Sequence, residues 1–262
     1  MQKKEFKYIY GPVSSWRLGT SLGIDPISQK TKQCVFDCGY CQLGRALPCF
    51  ARRKIFVPTK SIVSEISRLS EKVKIDFLTF SGSGEPTLAK NLGELITEVK
   101  KIRKEPVAVI TNSSLLGRKD VRADLLKADL VMAKLDASTQ EMLKIVNNPL
   151  KSIMFSDLIL NLKHLRRVYK KVLALQIMFV KENFDHAGSI ARIAAQIKAD
   201  KIFINTPLRP SECKSLSVIQ MKKIKKEFTR QGLETISVFD RVKKKTSPIN
   251  IAATLRRRGA CK

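Results

Sequence analysis

Three thiols stand close together near the N-terminus, in Cys34-Val35-Phe36-Asp37-Cys38-Gly39-Tyr40-Cys41. With three residues and then two between them, one loop can wrap three thiolates around a metal centre and leave one coordination position unfilled. An iron–sulfur cluster held by cysteine normally takes four thiolates, so three would leave one iron free for another ligand. A zinc ion is the other reading of this spacing, and a closed structural zinc needs a fourth ligand. His164 and His186 are the only histidines and lie far off in sequence, and the remaining cysteines are Cys49, Cys213 and Cys261. Three unrelated core thiols are the poorest reading, because Cys-Gly-Tyr-Cys sits in a polar, glycine-bearing segment.

A metal loop of this kind needs a frame, and the rest of the chain alternates strand and helix. Short apolar runs at Ser21–Asp25, residues 75–80, Val107–Thr111, Leu130–Asp136, Val172–Phe179 and Lys201–Asn205 read as buried strands. Between them, apolar residues recur at helical spacing, as in Ile62, Ile66 and Leu69, then Leu92, Leu95, Ile96 and Val99. The same spacing appears in Val121 and Leu125, in Ile159, Leu162 and Leu165, in Ile190, Ala194 and Ile197, and in Met221, Ile224 and Phe228. Six βα units argue for a parallel sheet covered by helices. They are too few for a closed eight-stranded barrel but suit an α/β partial TIM barrel; a flavodoxin-like open sheet is the alternative. Loops at the carboxyl ends of parallel strands build the active site of a barrel. The cysteine loop, Ser81–Glu85, Asn112 with Ser113, Asp136, Gln176 with Met178, and Asn205 with Thr206 all fall there.

Composition narrows the setting. No stretch approaches the length of a membrane span, and residues 1–10 are too charged for a signal peptide. Six cysteines without a secretory signal point to reduced thiols in a cytoplasm. The formal net charge of +27 fits either a nucleic-acid partner or a solvated, lysine-rich surface. Few aromatic residues interleave with the basic ones, so no surface for stacking single-stranded bases is evident.

Cys34-x3-Cys38-x2-Cys41, with an aromatic residue just before the third cysteine, resembles the cluster loop of the radical S-adenosylmethionine (SAM) superfamily. Residues 11–26, Cys41-Gln42-Leu43-Gly44-Arg45 and Ser81-Gly82-Ser83-Gly84-Glu85-Pro86-Thr87-Leu88 extend the likeness. Together they resemble the radical SAM Fe–S oxidoreductases related to the wyosine synthases of tRNA, over about residues 8 to 240. Beside these motifs the zinc reading recedes. The resemblance implies a six-unit partial TIM barrel, a [4Fe–4S] cluster on Cys34, Cys38 and Cys41, and SAM on the open iron. Reductive cleavage of SAM would give methionine and a 5′-deoxyadenosyl radical that abstracts hydrogen from a substrate, the cofactor supplying the radical chemistry. An electron donor of flavodoxin or ferredoxin type is implied as a partner.

Ser83, Gly84 and Glu85 resemble the superfamily's Gly-Gly-Glu segment, which holds the methionine amino group, with Ser replacing the first paired glycine. Glycine admits close backbone approach and a carboxylate accepts from an ammonium. Asn112, Ser113 and Asp136 are candidates for the SAM carboxylate and ribose, Gln176, Asn205 and Thr206 for the ribose or adenine, and Tyr40 for covering the adenine. Each also reads as an ordinary strand-end or turn residue. Relatives often have Thr-Asn-Gly-Ser where this chain has Thr111-Asn112-Ser113-Ser114, and Arg-Pro-His near Asn147-Asn148-Pro149. Cys49 and Cys213 read as free thiols, and neither histidine needs a catalytic role.

Residues 1–240 therefore read as one barrel domain, and 241–262 as a basic linker followed by the start of a C-terminal helical domain, truncated or absent. Three functions remain open: a radical SAM enzyme acting on a tRNA base, a radical SAM enzyme acting on a peptide or small metabolite, and a metal-bearing nucleic-acid-binding protein without turnover.

Overall fold

The computed structural model describes residues 6–44, 52–240 and 246–258, so Cys49, Cys261 and the basic run Arg241–Lys245 lie outside the described residues. β1 (Ile9–Ser15), β2 (Gly19–Ile24), β3 (Phe77–Phe80), β4 (Val107–Thr111), β5 (Leu130–Lys134), β6 (Val172–Met178), β7 (Lys201–Asn205) and β8 (Ile236–Ser237) form one sheet in chain order. β1 runs antiparallel to β2, and each later pair of neighbours is parallel. The connecting helices are α1 (Thr59–Ser67), α2 (Leu92–Ile102), α3 (Lys119–Leu125), α4 (Gln140–Asn147), α5 (Phe155–Val168), α6 (Ala187–Ile197) and α7 (Val218–Thr229). A flavodoxin-like sheet would have a permuted strand order. The strictly sequential order excludes it and gives a partial TIM barrel of parallel βα units, β2 to β7 supplying the six expected.

Strand periodicity divides the core in two. Val107, Val109, Val131, Ala133, Leu173, Leu175, Ile177, Ile202 and Ile204 join the cluster under the helices. Their alternates Ala108, Leu130, Met132, Ala174 and Phe203 meet Trp16, Leu18 and Val238 inside the barrel. Because successive strand residues point to opposite faces, the interior parity continues toward the carboxyl ends. It carries Thr79 and Ser81 on β3 and its exit, Ile110 and Asn112 on β4 and its exit, Lys134 on β5, Gln176 and Met178 on β6, and Asn205 on β7. All line one cavity of about 740 Å³. The barrel is thus apolar at its base and polar at its mouth.

Three elements are not anticipated from the sequence. Pro12 argues against a strand at residues 9–15, since proline interrupts a ladder. β1 tolerates it as an edge strand whose register shifts between Tyr10 and Val13. β8 is a two-residue seventh parallel strand. The third is α4, short and followed at once by Pro149; it begins at Thr139, whose Oγ1 accepts from Met142 N at 3.1 Å, and stops at left-handed Asn148 (φ 39°).

Helix α8 (Ile251–Arg258) lies against β1 rather than apart from the barrel. Gly11 N donates to Thr254 Oγ1 at 3.0 Å, and Arg257 is buried with its Nε 2.6 Å from Asp25 Oδ2. Among the described residues no helix is long and apolar enough to cross a membrane.

Candidate active site

The cysteine loop leaves the carboxyl end of β2 and is clipped on two sides. On one side Gln33 N donates to Ser83 O at 3.0 Å and Glu85 N donates to Gln33 O at 2.8 Å. A Cβ on Gly84 would stand 1.8 Å from Gln33 O, so glycine is required there by the approaching loop backbone. On the other side Asp37 N donates to Asn147 O at 3.0 Å, Gly39 N to Val146 O at 3.4 Å, and Leu150 N to Val35 O at 3.0 Å. The first two satisfy carbonyls in the last turn of α4, which a helix end leaves open, and the third runs back to a carbonyl of the loop. Val35 and Phe36, the apolar members of the motif, are buried among Met142, Leu143, Val146 and Leu158. Lys32 closes the base of the loop, donating to Asp37 Oδ1 at 3.2 Å and to Gly44 O at 3.0 Å. Burial alone would lower its ammonium pKa, but the Cys41, Cys34 and Cys38 sulfurs together with Asp37 carry it above its ordinary value.

Glu85 forms a node between this loop and β4. Its Oε1 accepts from Thr87 N (3.1 Å), Thr87 Oγ1 (2.6 Å) and Thr111 Oγ1 (2.7 Å). Its Oε2 accepts from Asn112 N alone, at 2.7 Å, and so keeps acceptor capacity toward the cavity that Glu85 lines. Burial raises its pKa against these donors. Asn112 turns its amide to Cys34, Nδ2 to Sγ 3.4 Å.

A second polar network backs Cys38. Asn147 Nδ2 lies 3.3 Å from Cys38 Sγ, 3.0 Å from the Tyr40 hydroxyl and 2.8 Å from Asp136 Oδ2. The Tyr40 hydroxyl donates to Asp136, and Lys134 Nζ donates to that hydroxyl at 2.6 Å while standing 4.8 Å over the ring. Burial and then Asp136 push the Tyr40 phenol well up. Burial pulls Lys134 down, yet Asp136 and Cys38 outweigh it and leave its pKa raised.

Of the residues singled out in the sequence, Cys34, Cys38, Cys41, Tyr40, Gly84, Glu85, Asn112, Gln176 and Asn205 share the cavity lining. Ser83, Ser113 and Asp136 do not. The Ser83 hydroxyl donates to Asp25 Oδ2 at 2.5 Å, on the far side of its loop from the cavity. Ser113, at φ 72°, donates to Lys134 O at 3.0 Å. Asp136 is buried behind Tyr40, its Oδ1 accepting Met178 N at 2.8 Å. Thr206 lines the cavity but its hydroxyl accepts Leu216 N at 2.8 Å. Lys32 and Lys134 were absent from the sequence reading, and Asn147 entered it only as a departure from relatives, with no role at the cysteine loop. Strand parity from Met132 would have found Lys134, and the helix stop signal Asn148-Pro149 would have placed Asn147 on a helix end. Cys213 lies beside the loop, its Sγ 3.0 Å from where a Cβ on Gly39 would stand.

The donor set of three neighbouring thiols fits an iron–sulfur cluster with one position open. Burial lifts the Cys34 thiol to about 12, helped by Glu85 and Cys38, and burial likewise raises Cys38. These sulfurs therefore become thiolates when a cation compensates them. Among the described residues no three His, Cys, Asp or Glu side chains converge on a point where one ion could sit. A cluster spreads its thiolates over separate irons. The Asn112 and Asn147 amides supply the hydrogen bonds to sulfur by which proteins tune such clusters.

A parallel partial barrel with a three-cysteine loop at the carboxyl end of its first parallel strand defines an α/β protein with a candidate metal-binding loop. The chain belongs to the radical SAM superfamily, which it matches over residues 28–194. It is 37% identical over 207 residues to a UPF0026 protein of Synechocystis sp., covering 78% of this chain and 77% of that one. It is also 38% identical over 257 residues to a protein of Brachyspira hyodysenteriae named GTPase Obg, covering 94% of this chain but 38% of that relative's length. The GTPase name is that relative's, of which this chain spans well under half. The structure of TYW1 with a lysine-pyruvate adduct bound superposes with a TM-score of 0.63 at 17% identity, covering 82% of this chain and 75% of that one, a likeness of fold.

Proposed function

We propose that the protein is a radical SAM enzyme whose Cys34, Cys38 and Cys41 hold a [4Fe–4S] cluster with one open iron, and whose substrate is a base of tRNA. The observation that carries this reading is the meeting of three thiols and the Glu85 carboxylate on one cavity wall at the carboxyl ends of parallel strands. A cluster held by these thiols would supply, when reduced, the electron for reductive cleavage of SAM to methionine and a 5′-deoxyadenosyl radical. Glu85 Oε2 would accept the methionine ammonium, with Thr87, Thr111 and the Asn112 amide fixing the carboxylate in place. Tyr40, held by Lys134, Asp136 and Asn147, covers one side of the nucleoside. Gln176 Oε1 is buried without a hydrogen-bond partner, and a hydroxyl or amine of the bound cofactor would satisfy it. The apolar interior below, Ile110 and Met132, with Met178 at the mouth, keeps water from the radical's path. A flavodoxin or ferredoxin would supply the electron.

Support for RNA as substrate is the net charge of +27 and the likeness to wyosine synthases. The test is 5′-deoxyadenosine production by anaerobically reconstituted, dithionite-reduced protein, with and without bulk tRNA. Production that rises with tRNA, and whose tRNA dependence weakens steeply with salt, supports the whole reading. Production indifferent to tRNA removes the RNA substrate and leaves a peptide or metabolite. None from a protein with a full cluster removes the enzyme. Glu85→Ala should lower SAM affinity at least about tenfold, since a charge-assisted hydrogen bond contributes about 1.5–3 kcal/mol.

A further inference from the structure

We propose that the cavity carries a second, anion-binding subsite, in which Arg17 and Arg209 receive a phosphate or carboxylate group of the substrate; the assignment to substrate rests on the function proposed above. Six cationic side chains line the cavity (Arg17, Lys32, Lys134, Arg209, Arg257 and Arg258), against one carboxylate, Glu85. Lys32 is matched with Asp37, Lys134 with Asp136 and Arg257 with Asp25. Glu85 is engaged by Thr87, Thr111 and Asn112. Arg17 and Arg209 have no carboxylate partner among the described residues.

Arg17 sits in the β1–β2 turn, its guanidinium 5.3 Å from the Trp16 ring, and its Nε is enclosed with no hydrogen-bond partner. Arg209 is held by Gln42 Oε1 at 2.6 Å and by the Arg258 carbonyl at 2.8 Å, which fixes the guanidinium near the mouth. Burial, then Arg258 and Arg209, pull the Arg17 pKa down to about 10, which still leaves it charged at neutral pH. Enclosing like charges without a counter-ion is unfavourable, and an oxyanion that bridges two planar forks relieves it. A cavity of about 740 Å³ lies high in the range for small-molecule sites. It admits either a flipped nucleotide with its phosphate or a small carboxylate metabolite beside the cofactor.

The chain has a single tryptophan, Trp16, stacked on Arg17, so its fluorescence reports on the site. Full-length protein would be titrated with inorganic phosphate and with acetate, using chloride at matched ionic strength as the control. The expected result is a saturable change with phosphate or acetate and not with chloride, with the midpoint raised at least tenfold in Arg17→Gln and in Arg209→Gln. Arg17→Lys should recover part of the response. Preference for phosphate assigns the group to a nucleotide, and preference for acetate to a carboxylate metabolite. Equal responses to all three anions, or unchanged midpoints in both variants, overturn the subsite. Displacement of the anion by SAM overturns it also, because the arginines would then hold the cofactor. Anion binding in a protein that makes no 5′-deoxyadenosine would instead leave the subsite standing and remove the enzymatic reading.

Discussion

Asn147 joins a sulfur, a phenol and a carboxylate through one amide nitrogen, at 3.3, 3.0 and 2.8 Å. Removing it strips a donor from Cys38 and from Asp136, and hydrogen bonds to charged groups contribute about 1.5–3 kcal/mol. Asn147→Ala is therefore expected to lower stability by about that much in denaturant melts. It should also shift the reconstituted cluster to a more negative potential in an EPR-monitored redox titration, because donors to sulfur favour the reduced, more negative state. An unchanged potential would show that the amide serves Asp136 alone. At this scale the cysteines and Glu85 were legible because their types and order carry chemistry. Lys134 and Asn147 were not, since a lysine and an asparagine are unremarkable until strand parity and helix ends place them. Ser113 shows the limit of motif reading: it occupies the left-handed conformation that glycine takes more easily, and its hydroxyl serves the Lys134 carbonyl rather than a ligand.

The elements around the site hold one another by backbone. The bridge between Gln33 and Gly84 ties the cysteine loop to the exit of β3, and a methyl at Gly84 would collide with a carbonyl that cannot swing away. Gly84→Ala should destabilise by about 1–3 kcal/mol, the usual cost of overpacking, and should lower iron and sulfide content after reconstitution. Full cluster loading in that variant would mean the loop folds without its clip. Further round the barrel, Asp129 accepts Val107 N at 2.9 Å and Lys100 Nζ at 2.5 Å, joining β4, α2 and the start of β5. Burial raises its pKa, but Lys100 and the Val107 amide outweigh burial and leave it below the ordinary 3.8. Its folded pKa is depressed, so its contribution is present above about pH 3.8 and fades as pH falls through the folded value. Asp129→Asn should cost about 1 kcal/mol at pH 7, allowing for its partial exposure, and the gap to wild type should close in urea melts near pH 2. The six central βα units were readable because their strands are continuous apolar runs. β1 was hidden by Pro12, and α4 by its brevity and its position directly before Pro149.

For the molecule as a whole, the buried Arg257–Asp25 pair joins α8 to the exit of β2. Asp25 also accepts Ser83 Oγ at 2.5 Å and Ser28 N at 2.8 Å, so three chain segments converge on one carboxylate. Breaking a buried pair by removing one partner costs about 3–5 kcal/mol because the other charge is left unmatched. Arg257→Met is expected to show that loss in thermal or denaturant unfolding, with part of it regained in the double variant with Asp25→Asn. A single variant as stable as wild type would mean that water reaches Asp25. This contact was beyond the sequence reading, which took residues 241–262 as a basic linker and the start of a C-terminal helical domain, truncated or absent; nothing in a short arginine-rich segment reveals which of its guanidiniums enters the core.

The two members of that pair stand 232 positions apart in the chain. Domains fold while synthesis proceeds at about 5–20 residues per second, so the cysteine loop emerges long before the residue that braces its root exists. For roughly ten seconds or more the nascent barrel is accompanied by three unprotected thiols beside an unneutralised Asp25. Iron delivered during translation would meet a loop without its full set of supports. The brace from α8 is thus the last support the loop acquires, and oxidation of the thiols is the hazard of any pause before it docks.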